Sequence, residues 1–162
     1  MWLGHEAVGL VEERGVAFAA VPMSEEDQQR HRAAVPKMFT GTPFIKGMGL
    51  VIERYEPEDV SIRLPFREDL TNDGVYYHGG VVASVIDTAG ALAAWSNHDF
   101  DKGIRASTVS LSIQYVGACR KSDLVCHGTT VRRGRELTFT EITATDADGS
   151  VVAHAVQTYR IV

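Results

Sequence analysis

One feature limits the fold more than any other: beyond residue 103 the chain runs through four extended segments with no helix between them. Val109, Leu111, Ile113 and Tyr115 alternate with Ser110, Ser112 and Gln114, the period-2 pattern of a strand with one face covered. Extended runs follow at about 123–133, 136–146 and 151–161, separated by Arg133-Gly134 and by Asp146-Ala147-Asp148-Gly149. A parallel pairing would need a crossover helix between successive strands, so these three runs are expected as consecutive antiparallel hairpins. Upstream, Gly41, Pro43, Gly47 and Gly49 lead into two shorter extended segments, 49–56 and 58–66, broken at Pro57, a first hairpin.

Between the two groups of strands lies the least polar helix candidate, residues 80–95. Val82, Val85, Ile86, Ala89 and Ala93 recur every three or four residues and give it a broad apolar face. A second stripe, Gly80, Ala83, Ser84, Asp87, Gly90, Ala91 and Ala94, consists of small residues around one carboxylate, so something is expected to approach it closely. The simplest packing is α+β: a curved antiparallel sheet wrapped around one long helix.

The domain is expected over 41–162, preceded by an extension, 1–40. Residues 1–23 show no clear period, and Met23 offers a second possible start. Ser24, followed by Glu25, Glu26 and Asp27, reads as the N-cap of a polar, peripheral helix over 25–35, with Pro36 as its stop. Glu6, Glu12, Glu13 and Arg14 interrupt any apolar leader, and no stretch is expected to span a membrane. The formal net charge of -5 argues against a general nucleic-acid surface. Cys119 and Cys126 have neither a second pair nor ligand-spaced histidines, so no metal site or disulfide framework is expected, and a reducing cytoplasm fits.

Gly79 and Gly80 stand where the polar loop 67–79 becomes the helix. Without a Cβ they leave backbone N–H groups open to an oxyanion, although a turn glycine pair has the same appearance. Asp87, among Gly, Ala and Ser, is the candidate carboxylate for chemistry; capping or local pairing is its plainer role. Eight residues separate Gly79 from Asp87, about 12 Å along a helix axis, so one helix cannot bring both to one carbonyl. Two antiparallel copies packed through their small-residue sides can, which predicts an obligate dimer with two composite sites.

Asn72, His78-Gly79-Gly80, Asp87-Thr88-Ala89 and Thr108 at the start of the 109–115 strand together resemble the PaaI-type, phenylacetyl-CoA thioesterase-like branch of the hotdog-fold thioesterases. The resemblance spans about residues 45–162 and includes the Gly134-Arg135 turn. It implies hydrolysis of an acyl-CoA thioester without metal or redox cofactor, by a homodimer that can double to a tetramer. In that reading Gly79 polarises the carbonyl, and Asp87 of the partner subunit activates a water or attacks directly, with the water route favoured. Thr108 would help hold the water, Asn72 would orient water or thioester unless it forms an Asx-turn, and His78 would chiefly shape the loop.

Gly80 and Ser84 are expected near the substrate. Arg133 and Arg135, with Arg105 and Arg132, either meet the CoA phosphates or are solvated at strand ends. Tyr76, Tyr77, Trp95 and Phe100 either line an acyl pocket or belong to core and interface. Two rival readings are a hotdog hydratase or dehydratase, which needs a His/Asp or His/Glu acid–base pair, and a non-catalytic acyl-CoA sensor or carrier, which leaves Asp87 without a reason.

Overall fold

The computed structural model of the chain describes residues 21–162. The readings that fall on residues 1–20, including the expectation of no apolar leader, lie outside them.

Ser24 caps the first helix, α1 (Glu25–Gly41), its hydroxyl accepting from the Asp27 amide while three acidic residues fill the first turn. The helix does not stop at Pro36 but runs through it to Gly41. A proline inside a helix costs about 3 kcal/mol, because it removes one backbone hydrogen bond and crowds the preceding turn. Tertiary packing offsets that cost: Val35 is buried and Phe39 packs against the core. One face of α1 is therefore integral to the fold, which corrects the peripheral placement expected from its polar sequence. A second short helix, α2 (Pro43–Met48), starts on its proline and ends at Gly49, whose φ of 75° provides a left-handed C-cap.

Strands β1 (Val51–Glu56) and β2 (Asp59–Leu64) form the first hairpin. The long helix α3 (Gly79–Ser96) follows, then β3 (Ala106–Tyr115), β4 (Leu124–Arg133), β5 (Leu137–Asp146) and β6 (Val151–Ile161). All six strands join one antiparallel sheet in the order β1-β2-β4-β5-β6-β3. β3 crosses the sheet to pair with β6 and ends as an edge strand. Strand bounds follow the alternation and the turn residues to within a few positions.

The inner sheet face buries Val60, Ile62 and Leu64 of β2, Leu124 and Cys126 of β4, Ile142 and Ala144 of β5, and Ala155 of β6 against Val82, Val85, Ile86, Ala89 and Leu92 of α3. Each of the Val, Leu and Ile side chains contributes about 1.5–3 kcal/mol on burial. Gly128 lets β4 touch the helix backbone, since a Cβ there would lie 2.9 Å from the Ala89 carbonyl oxygen. By length and composition α3 could cross a membrane, with a mean hydropathy of 1.2, contrary to the expectation that no stretch would qualify. The sheet explains its apolarity: 67% of that window is buried inside the fold.

Candidate active site

The first turn of α3 sorts its free amides. His78 is the N-cap, and its Nδ1 accepts from the Gly80 amide at 2.9 Å. The His78 carbonyl accepts from Val81 at 2.9 Å and Val82 at 3.2 Å. That leaves the Gly79 N–H as the first-turn donor with no acceptor among the described residues. The Gly79 carbonyl is fixed from the other side by the Tyr115 hydroxyl, which donates at 3.0 Å. Ser84 donates to the Gly80 carbonyl at 2.8 Å.

Two turns along, Asp87 is held through one oxygen. Its Oδ1 accepts from the Thr108 hydroxyl at 2.7 Å and from Gln157 Nε2 at 2.7 Å, and the same Nε2 reaches the Asp87 carbonyl at 3.1 Å. Oδ2 has no partner among the described residues. Both bonds to Oδ1 are charge-assisted, short and directional, so they fix the carboxylate plane while leaving its second oxygen open. Thr108 thus acts on the carboxylate directly, where the sequence suggested an action through water. Gln157 is positioned in turn by Thr140, whose hydroxyl donates to Gln157 Oε1 at 3.3 Å.

The small-residue stripe has two causes. Its C-terminal half is covered by the protein's own sheet and α1: Gly90, Ala91 and Ala94 are buried, and a Cβ at Gly90 would lie 2.3 Å from Gln157 Oε1. Its N-terminal half, Gly80, Ala83, Ser84 and Asp87, remains at least partly accessible.

Asp87 opens onto a cavity of about 800 Å³ between α3 and the α1–α2 pair. Val35, Met38, Phe39 and Phe44 line one side, and Trp95, Phe100 and Tyr159 line the other. Burial, with the Asp87 charge adding to it, pushes the Tyr159 phenol above its ordinary pKa, against the opposing effect of Trp95 Nε1, which donates to it at 3.4 Å. Of the aromatic candidates, Trp95 and Phe100 belong to this cavity. Tyr77 is instead a core residue set edge-on to Phe66, its hydroxyl donating to the Pro65 carbonyl at 3.1 Å, and Tyr76 is exposed.

Asn72 is exposed, and the Asx-turn considered for it is formed one residue later. Asp73 Oδ1 accepts from the Val75 and Tyr76 amides, both at 3.0 Å. Those amides, Tyr76 first, hold the Asp73 carboxyl below the usual carboxylate range. Arg133 and Arg135 lie at the opposite end of α3 from Gly79, sharing a small crevice with His98 and Ile161. The Arg133 guanidinium is engaged within the chain, donating to Glu58 at 3.0 Å, to the Ala94 carbonyl at 2.8 Å and to Thr138 at 3.3 Å. It closes the C-terminal end of α3. Arg105, Arg132 and Arg135 are exposed.

Sequence reading missed Gln157, Tyr115, Tyr159 and the α1–α2 wall. A signal for Gln157 was present: it occupies an inward position of β6 between Ala155 and Tyr159, where a polar side chain requires a buried partner.

A sequence profile of the thioesterase superfamily matches residues 76–153, from the loop before α3 into β6. A protein of Saccharolobus solfataricus named as a candidate esterase is 31% identical over 100 residues, which cover 62% of this chain and 69% of that protein. The chain belongs to the thioesterase superfamily. Its fold is the hotdog fold of that superfamily. The PaaI protein of the E. coli phenylacetic acid degradation operon superposes with a TM-score of 0.71 at 17% identity, covering 85% of this chain and 94% of PaaI. A hypothetical thioesterase of Streptococcus pneumoniae, solved with coenzyme A, superposes with a TM-score of 0.62 at 23% identity, over 69% of this chain and 87% of that one. Within this thioesterase-superfamily chain, α1 and α2 precede the profile-matched residues.

Proposed function

We propose that the chain hydrolyses an acyl-CoA thioester to the free acid and CoA, as a homodimer with two composite sites. The observation that carries this reading is the Asp87 carboxylate, immobilised through Oδ1 and open at Oδ2, at the mouth of an apolar cavity. Superfamily membership supports thioester chemistry, and the coenzyme A in the Streptococcus pneumoniae structure supports CoA as the acyl carrier.

Gly79 and Asp87 are eight residues apart on one helix, about 12 Å, so the amide that faces a given Asp87 comes from a second copy. Strand β3 supports such a pairing. It is ten residues long and, among the described residues, pairs only with β6; Val109 and Tyr115 on it are 56% and 52% exposed. A second β3 against that edge would extend the sheet and set two α3 helices antiparallel. Phe139 and Val156, exposed on the outer sheet face, support further doubling to a tetramer.

In the reaction, Asp87 Oδ2 takes a proton from water as the water oxygen bonds to the thioester carbonyl carbon. The carbonyl oxygen becomes an oxyanion held by the N–H of Gly79 of the partner subunit. Collapse of the intermediate breaks the C–S bond, and the departing thiolate takes the proton from Asp87. Asp87→Asn keeps volume and the acceptor oxygen but loses the base, so free-thiol release should fall by about 10²–10⁴-fold with unfolding behaviour unchanged. Release by the variant at the wild-type rate would remove Asp87 from the chemistry. Binding of acyl-CoA with no release by either protein would replace hydrolysis with a carrier role.

A further inference from the structure

We infer that α1 and α2 form the outer wall of an acyl groove sized for a straight aliphatic chain of about ten carbons. The inference rests on the acyl-CoA reading above.

The cavity is lined along the length of two helices. On α3 its lining residues are Asp87, Thr88, Ala91 and Trp95, and on α1 they include His31, Ala34, Val35 and Met38. Both sets recur at three or four, one stripe per helix over two turns, so the groove runs along the helices for about 12 Å. Ala34 and Ala91, the smallest lining residues of the two helices, keep its waist open. Its far end is closed by the Trp95 and Phe100 rings, 5.6 Å apart, with His31 set against Phe100 at 5.1 Å. Asp87 stands at the near end, where a thioester carbonyl would sit.

An extended chain advances about 3.3–3.6 Å over three backbone bonds, so 12 Å takes up about ten carbon atoms. A single aromatic ring would reach only part of that length and leave the Trp95–Phe100 end without a partner, which forfeits the dispersion contacts available there. α1 and α2 lie before residue 76, where the superfamily match begins, so this wall is built by chain outside the matched segment. Each methylene that enters the groove should raise kcat/KM about fourfold.

The test is kcat/KM for acetyl-, butyryl-, hexanoyl-, octanoyl-, decanoyl-, myristoyl- and phenylacetyl-CoA with wild type, Ala34→Trp and Ala33→Trp. Ala33 is exposed on α1 outside the groove and serves as the control. The expected profile climbs with chain length to decanoyl and falls at myristoyl. Ala34→Trp lowers the decanoyl-to-butyryl ratio by about tenfold or more, while Ala33→Trp retains it. Hydrolysis that is flat with chain length, that favours phenylacetyl over decanoyl, or that keeps its ratio in Ala34→Trp overturns the groove. If no ester is hydrolysed, yet calorimetric binding of the same esters tightens with each methylene and weakens in Ala34→Trp, the hydrolytic reading fails and the groove stands.

Discussion

One added methyl group at Gly90 should act on Asp87 through Gln157. The new Cβ would lie 2.3 Å from Gln157 Oε1, 2.9 Å from its Cδ and 2.9 Å from Thr140 Oγ1. Gln157 is only 2% exposed, so its amide has no open space to turn into, and displacing it breaks the 2.7 Å bond to Asp87 Oδ1. Alanine in a helix interior gains roughly 0.5–1 kcal/mol over glycine. Overpacking costs roughly 1–3 kcal/mol, and the hydrogen bond lost if Gln157 yields instead is of similar size, so net of the helix gain Gly90→Ala should destabilise by about 0.5–2 kcal/mol. In a Gln157→Ala background most of the overlap is gone, and the same methyl should become neutral or stabilising. The assay is a double-mutant cycle on urea unfolding midpoints at constant m, with thiol release measured on each protein. A Gly90→Ala cost equal in the two backgrounds within about 0.5 kcal/mol would refute the coupling.

Two further expectations concern assembly and pH. Gly79→Ala fits its own chain, the nearest atom to the new Cβ being Tyr115 Cε1 at 3.9 Å, but the methyl crowds the oxyanion position. Mixed and re-annealed with Asp87→Asn, it should restore about a quarter of wild-type thiol release, because half the dimers are mixed and each carries one intact composite site; no recovery would place both groups of a site in one subunit. Burial pushes the Cys119 thiol up to about 11 from an ordinary 9.0. The fold therefore favours the protonated thiol, and its contribution is complete below about pH 9 and lost as pH rises towards 11. The urea midpoint should fall over that window, less steeply in Cys119→Ala; equal slopes would clear Cys119 of the effect.

The elements that sequence located best are those whose residues all face the same demand. β4, β5 and β6 alternate against one helix, and Gly or Asp-Gly turns separate them, so period and punctuation agree. α3 was legible because its apolar face is broad and two thirds of it is buried, and Asp87 because its carboxylate contrasts with its Gly, Ala and Ser neighbours; Thr108, among other hydroxyl residues, was marked only by the family resemblance. Pro36 misled because a local breaker is overridden by the packing of Val35 and Phe39, which only the tertiary structure reveals. The small-residue stripe looked like one surface, yet Gly90 is small to admit Gln157 whereas Gly80 lies at the accessible end. Arg133 carries no mark in sequence of the helix end it closes, since Glu58 and Ala94 lie far away along the chain.

The groove beside Asp87 is assembled from stretches of chain that share no task. Thr108 and Gln157, which fix the carboxylate, both follow residue 103, while the α1–α2 side is complete before residue 49. Under the proposed function, substitutions among residues 31–45 should therefore change which acyl groups are accepted without disturbing Asp87. Selectivity and reactivity in such a protein are separately heritable, so a duplicated gene could take on a new diet while inheriting its chemistry unchanged.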